Sequence, residues 1–303
     1  MIFSVTDIGL TREFVLTVIV PISRMAGKLE NLKTWIDLII GTNIKVILVH
    51  DFQDNDTGKE LIEFIDSIRT QQIVFIEKYF GSPGLARNAG LALADTKWCC
   101  FWDSDDIPNI EKTISNIGNS RPGTEVIISN FKIVSSQNSI VVNHYSNLDY
   151  VALNPGLWRM VFKTELVKDE KFLDLRMGED QIFLLDIDIS KRNVEFSKEI
   201  TYTYITDIEG QLTNQANLNS LSALYIIEKS VLKANYTLNR FLSIVYWRLF
   251  LSALKRLRDK YPLHVLIGNI RFIIRIKPSA TFFFMKSLFF QRNFLRDSPE
   301  EGL

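Results

Sequence analysis

Four short apolar runs in the first third of the chain constrain its fold more than any other feature. Residues 16–21 read LTVIVP, 45–50 KVILVH, 73–78 IVFIEK and 98–103 WCCFWD. Each run is continuous rather than alternating, and rich in β-branched or aromatic residues. Such runs suit strands covered on both faces, as in a parallel sheet. Between them the apolar period lengthens. Residues 29–40 carry Leu29, Leu32, Ile36, Ile39 and Ile40; residues 58–68 carry Leu61, Ile62, Phe64, Ile65 and Ile68; residues 84–94 are rich in Ala and Leu. Strand and helix in alternation predict half of a doubly wound α/β sheet. In such sheets a ligand meets the carboxyl ends of the strands. Those ends carry Pro21, Asp51 and the run Asp103-Ser104-Asp105-Asp106. No G-x-G-x-x-G follows the first strand, where Pro21-Ile22-Ser23-Arg24 stands instead, and this excludes a dinucleotide-dependent dehydrogenase.

Past residue 124 the pattern changes. EVIISNFKIV and SIVVNHY predict two strands, joined as a hairpin across residues 135–138. VFKTELV follows, then MGEDQIFLLDI as a helix start, and from about residue 215 the chain reads as helical. No internal repeat is present, and a soft boundary falls near 210–235. The 303 residues are 47% apolar and 23% charged, which supplies a sizeable core. Lys+Arg and Asp+Glu are both 35, so net charge singles out no partner, and no nucleic-acid role is expected. The distribution is uneven. Residues 1–239 hold 23 basic and 31 acidic side chains; residues 240–303 hold 12 basic and 4 acidic ones, with twelve aromatics. Cys99 and Cys100 are adjacent, so on a strand they point to opposite faces and cannot bridge; buried thiols in a cytosolic protein are expected. The start MIFSVTDIGLTREF has no basic opening, long apolar stretch or small-residue cleavage site, and no apolar run reaches the ~18 residues that span a bilayer. The expected location is cytoplasmic, or peripheral on the inner face of the cell membrane.

Three constellations carry chemistry. Asp103, Asp105 and Asp106 crowd together after an apolar strand, and crowded carboxylates raise one another's pKa. A hard divalent cation such as Mn²⁺ or Mg²⁺ relieves that repulsion and keeps positions for water and phosphate. The plainer alternative is a solvated acidic turn capping a helix from about Pro108. Residues 81–90, GSPGLARNAG, put a glycine-bearing loop at a helix start, where free N–H groups favour anions. A tightly packed loop and helix would look the same. Gly178-Glu179-Asp180 opens a helix, either as a capping turn or as a carboxylate base aimed into a cleft. The positive helix end favours the ionised form that a base needs.

Taken in order over residues 15–205, LTVIVP, an aspartate after the second strand, GLARNAG, FWDSDD and GED resemble family 2 glycosyltransferases, of the bacterial surface-polysaccharide type. The resemblance implies a GT-A fold: an α/β, Rossmann-like, doubly wound and mainly parallel sheet, here with a helical C-terminal extension. It implies a catalytic domain over residues 1–235, with a nucleotide-sugar half at about 15–120 and an acceptor half at about 121–210. Residues 236–303 are then a helical, basic and aromatic region. The implied activity is metal-dependent transfer of a sugar, with inversion, from a UDP-linked donor to a hydroxyl of a glycan or lipid-linked glycan, in polysaccharide, lipopolysaccharide or capsule synthesis. Carried over residue by residue, Asp103 and Asp105 hold the divalent cation and the donor diphosphate, with Asp105 the direct ligand. Asp180 is the general base; Glu179 beside it competes for that role or binds acceptor hydroxyls instead. Pro21, Asp51, Gly84, Arg87 and Asn88 contact the nucleotide-sugar.

Two segments depart from the family's pattern. His50-Asp51-Phe52-Gln53-Asp54 replaces a stretch with two aspartates and Gly-Ser, and Ser23-Arg24 stands where an Asn is usual. A later histidine offered to the metal would be His144 or His264, neither well placed. Trp158, in NPGLWR ahead of the base, is expected either to stack on an acceptor sugar or to sit in the core. FLSIVYWRLFLSALKRLRDK and RFIIRIK mix apolar, aromatic and basic residues, which suits helices on an anionic membrane surface or helices packed on the domain. Two other function classes fit less well. A non-catalytic glycan-binding module on a degenerate GT-A fold has Asp103, Asp105 and Asp180 against it. A nucleotidyltransferase calls for a stronger glycine-rich, basic loop than PISRMAGK.

Overall fold

The computed structural model describes residues 13–206, 220–257, 269–270 and 272–294. Four parallel strands stand where the apolar runs predict them: β1 (Leu16–Ile22), β2 (Ile44–Asp51), β3 (Ile73–Lys78) and β4 (Trp98–Phe101). Between them lie α1 (Glu30–Ile39), α2 (Asn55–Ile68) and α3 (Pro83–Leu91). Local signals start α2 and α3. Asp54 caps α2 by accepting the Thr57 N–H at 2.7 Å, and Ser82 caps α3 with Pro83 in its first turn. α1 buries Leu32, Trp35, Ile36 and Ile39, the i, i+3, i+4, i+7 face, and Trp35 meets Trp102 edge-on at 5.4 Å. Both β2 and β4 pair with β1, so the chain order reverses there and leaves a crevice beyond the carboxyl ends of β1 and β4.

The acidic turn is pinned by a strand pair before its helix begins, because β5 (Ile107–Pro108) precedes α4 (Ile110–Gly118). The predicted hairpin is β6 (Val126–Val134) with β7 (Ser139–Val142), closed by the Ser135 N–H on the Asn138 carbonyl at 2.8 Å. Then come α5 (Leu148–Leu153), a single 3-10 turn, β8 (Met160–Lys163), α6 (Thr164–Val167), α7 (Glu179–Asp186) and β9 (Val194–Ile205). β8 enters between β4 and β6, antiparallel to both; β9 runs parallel to β6 and takes β5 on its far side. The sheet order is β3-β2-β1-β4-β8-β6-β9-β5, with β7 on β6.

Alternating side chains feed two cores. Ile19, Ile47, Val49, Cys99 and Phe101 face one; Val18, Val20, Val46, Leu48, Cys100 and Trp102 face the other. The two cysteines thus point to opposite layers as free thiols, and burial pushes Cys99 up to about 12. Three C-terminal helices, α8 (Ser220–Leu232), α9 (Arg240–Leu257) and α10 (Pro278–Phe294), join the first core. α9 buries Phe241, Leu242, Val245, Tyr246 and Ala253 and packs on α5, α8 and α10. Of the two expectations for FLSIVYW, packing on the domain holds. No helix of the described residues is long and apolar enough to cross a membrane.

Candidate active site

The carboxylate turn hangs from β4 and is tied to β9. The Asp103 N–H donates to the Tyr202 hydroxyl at 2.9 Å, and the Ile205 N–H donates to Asp106 Oδ1 at 2.8 Å. Tyr202 and Asp106 are buried, and burial, followed by the charges of Asp103 and Asp105, pushes Asp106 up to about 9. Asp106 is therefore the buried anchor of the turn, and Asp103 and Asp105 are both partly exposed. Asn31 Nδ2 closes the turn from the α1 side, donating to the Asp105 carbonyl at 3.1 Å. A hard, negative oxygen set of this kind fits a divalent cation held by Asp103 and Asp105 together with phosphate oxygens. Among the described residues no three His, Cys, Asp or Glu side chains converge as a metal site. His144 adds nothing to it. Its Nδ1 accepts the Ser146 N–H at 2.8 Å and its Nε2 donates to the Ser197 carbonyl at 2.6 Å, and burial lowers its pKa. His264 lies outside the described residues.

Arg87 joins this turn to α7. Its Nη2 donates to Asp103 Oδ1 at 2.9 Å and its Nη1 to Glu179 Oε1 at 2.8 Å, with the Arg87 and Glu179 side chains each only 9% exposed. Burial opposes the guanidinium charge, but Asp103, Glu179 and Asp180 outweigh it and hold the group above the usual arginine range. α3 approaches closely because Gly84 lacks a side chain: a Cβ there would lie 2.5 Å from the Leu173 carbonyl oxygen and 3.4 Å from Glu179 Cγ. Asn88 locks that approach, donating to the Phe172 carbonyl and accepting the Phe172 N–H, both at 2.8 Å. Both polar ends of Asn88 are thus engaged inside the fold.

Gly178 leads into α7 at φ 87°, and a Cβ there would meet the Ala223 Cβ of α8 at 2.6 Å, with Leu249 Cδ2 of α9 at 3.9 Å. The C-terminal helices therefore form a wall behind the turn that carries Asp180. Burial, then the Glu179 charge, push the Asp180 carboxyl up to about 7, against the opposing pull of Arg87 and of Arg248 on α9. Burial and Glu179 thus act against the helix-end field that favours the ionised form. Asp180 titrates near neutrality, where a general base is most effective.

The remaining candidates line the crevice from other sides. Asp51 accepts the N–H groups of Phe80 at 2.7 Å and Gly81 at 3.1 Å and the Gln53 amide at 3.0 Å; Gln53 in turn accepts from Arg24 Nη2 at 2.6 Å. The two segments that depart from the family's pattern are thus one hydrogen-bonded chain that holds the loop before α3. Pro21 pairs in register with Val49, two residues before Asp51, so both stand at the same sheet edge. Trp158, partly exposed, stacks on Tyr202 at 4.7 Å and on Tyr204 at 5.5 Å, which sets it one ring away from the Asp103 turn. Tyr202 and Arg248 are absent from the sequence-based candidates, since no local pattern marks them. A cavity of about 320 Å³ lies at the other end of α7, among Asp186, Lys191, Tyr236 and Asn239. It is separate from the carboxylates, about 9 Å along the helix axis from Asp180.

Residues 17–119 match the family model described as glycosyl transferase family 2, a span that takes in β1, α3 and the whole carboxylate turn. No curated protein matches the chain. Among solved structures, S. aureus TarS 1-349 in complex with UDP-GlcNAc superimposes with a TM-score of 0.68 at 17% identity, over 86% of this chain and 81% of that one. A longer S. aureus TarS structure gives 0.66 at 18% identity, over 88% of this chain and 50% of that one. The mannosyltransferase PcManGT from Pyrobaculum calidifontis, in complex with GDP-Man and Mn2+, gives 0.57 at 14% identity, over 91% and 84%. Sheet order, the crevice beyond β1 and β4 and these likenesses make this a GT-A fold, and the match over residues 17–119 supports a family 2 glycosyltransferase.

Proposed function

We propose that the chain transfers a sugar, with inversion, from a UDP-linked donor to a hydroxyl of a glycan or lipid-linked glycan, in bacterial surface-polysaccharide, lipopolysaccharide or capsule synthesis in the cytoplasm. The observation that carries this reading is the Arg87 bridge. One buried guanidinium ties Asp103 of the carboxylate turn to Glu179, the neighbour of Asp180. Carboxylates suited to a cation and a diphosphate, and a carboxylate that titrates near 7, therefore flank one crevice. The nucleotide-sugars in the TarS and PcManGT structures support a donor of that class.

In this reading Asp103 and Asp105 hold Mn²⁺ or Mg²⁺, which when bound neutralises charge on the leaving diphosphate. Asp180 accepts the proton of the attacking hydroxyl as its oxygen bonds to the anomeric carbon. The bond from that carbon to the diphosphate oxygen breaks, the electron pair leaves with the diphosphate, and direct displacement inverts the centre. Glu179, held by Arg87, orders acceptor hydroxyls, and Trp158 offers a ring face to a sugar. Gly84 and Arg87, at the start of α3, approach the donor phosphates, and the edge at Pro21 and Asp51 receives the nucleoside.

A panel of nucleotide-sugars tests the proposal, with Mn²⁺ and a glycan acceptor present and nucleoside diphosphate release as the readout. One donor is turned over in preference to the rest, and chelation stops it. Absence of release from every donor refutes the reading.

A further inference from the structure

Residues 269–294 contain five basic side chains and no acidic one. One face of this segment is fixed to the core. Phe272, Ile276, Ala280, Phe284 and Ser287 are buried; Phe284 stacks on Trp247 of α9 at 6.0 Å, and Trp247 Nε1 donates to Thr281 Oγ1 at 3.0 Å. Phe283 meets Tyr150 of α5 edge-on at 5.3 Å. The other face points outward. Ile274 is 77% exposed, Phe282 72%, Ile270 45% and Met285 44%. Phe282 and Met285 are three apart on α10 and share one side of it, and Ile270 and Ile274 precede that helix in the same basic segment. Arg275 and Lys277 are exposed beside them and enter no ion pair among the described residues.

A single exposed apolar side chain is ordinary, but four large ones within sixteen residues, interleaved with cations and free of acids, have the composition of an interfacial anchor. We propose that this face, Ile270, Ile274, Phe282 and Met285 with Arg275 and Lys277, docks on the headgroup layer of an anionic lipid bilayer. Charge complementarity selects that occupant. Two copies meeting through this face would set like charges against each other, which disfavours self-association. An anionic bilayer instead supplies opposite charge above an apolar layer. α9 takes no part, since its apolar residues lie in the core. The docking stands independently of the transfer reaction, although it suits a lipid-linked acceptor.

The test sediments the full chain with vesicles of phosphatidylcholine, alone or mixed with phosphatidylglycerol. Binding is expected on the mixed vesicles at low salt, weaker at high salt and slight on neutral vesicles. Arg275→Gln with Lys277→Gln lowers partitioning about thirtyfold, from roughly fivefold per cation at an anionic surface. Ile274→Ser with Phe282→Ser removes binding at either salt, and because both side chains are exposed it leaves thermal unfolding unchanged. Equal pelleting of variants and parent, or none of the parent on anionic vesicles, overturns the proposal. A parent dimer in light scattering that Ile274→Ser with Phe282→Ser dissociates overturns it as well, in favour of self-association.

Discussion

Arg87→Met removes the guanidinium while keeping much of the side chain's length, and two carboxylates lose their partner at 2.9 and 2.8 Å. The Glu179 side chain is only 9% exposed, so water cannot replace the lost bond; Asp103, 28% exposed, recovers part of it. Removing one member of a buried ion pair costs about 3–5 kcal/mol. In a chain of this size each kcal/mol moves Tm by roughly 2–4 °C, so a fall of about 6–20 °C is expected. A second signature is electrostatic. Arg87 favours the ionised form of Asp180 against burial and Glu179, so without it the carboxyl rises further above about 7. The acid limb of the kcat–pH profile then moves to higher pH, because the base stays protonated longer. Stability follows the same sign. Between the ordinary value of 3.8 and about 7 the folded state holds more protons on Asp180 than the unfolded state, so its contribution is lost as pH rises through that window. The Tm deficit of Arg87→Met therefore widens as pH rises through neutrality. Calorimetry across pH, with kcat measured on the best donor, reads both effects. A variant that melts with the parent and keeps its pH profile refutes the bridge.

Other substitutions separate the remaining roles. Asp180→Asn keeps the shape and removes the proton acceptor, so kcat should fall about 10²–10⁴-fold with donor affinity retained; full turnover by this variant beside a dead Glu179→Gln moves the base by one residue. Asp105→Ala should abolish cation-dependent donor binding in titration calorimetry without lowering Tm, and donor binding that persists undiminished in chelator removes the assignment. Gly84→Ala sets a Cβ 2.5 Å from a backbone oxygen, which must push α3 from the loop at Leu173. A loss of about 1–3 kcal/mol is expected in denaturant titration, and parental stability would contradict the close approach.

β1, β2 and β4 are legible in the sequence because each is buried on both faces, so a local run such as KVILVH is a sufficient signal. β9 is not. Its sequence, VEFSKEITYTYI, mixes charges and hydroxyls with apolar residues, and its partner β6 lies far back in the chain with register shifts around Asn130. β8 is only four residues long, too short for any period to show. Asp103, Arg87 and Glu179 each stand out in a motif, yet the bonds uniting them cross up to 92 positions and no motif spacing encodes them. The surroundings of Asp180 are hidden for a physical reason. A helix end can be read from sequence, whereas the pull of Arg248 comes from α9, far along the chain. The same holds for Tyr202, whose hydroxyl matters only once β9 reaches the acidic turn.

The contact of Gly178 with Ala223 sets an order in time as well as in space. During synthesis β1 to β4, Arg87 and the Asp103 turn leave the ribosome first, and β9 then brings Tyr202 to that turn. At that stage α8 and α9 have yet to be made. Gly178 still faces no Ala223, and Asp180 still lacks the pull of Arg248. α8 and α9 lie beyond the segment matching family 2, so truncation before α8 removes the wall at Gly178 and the pull of Arg248 on Asp180.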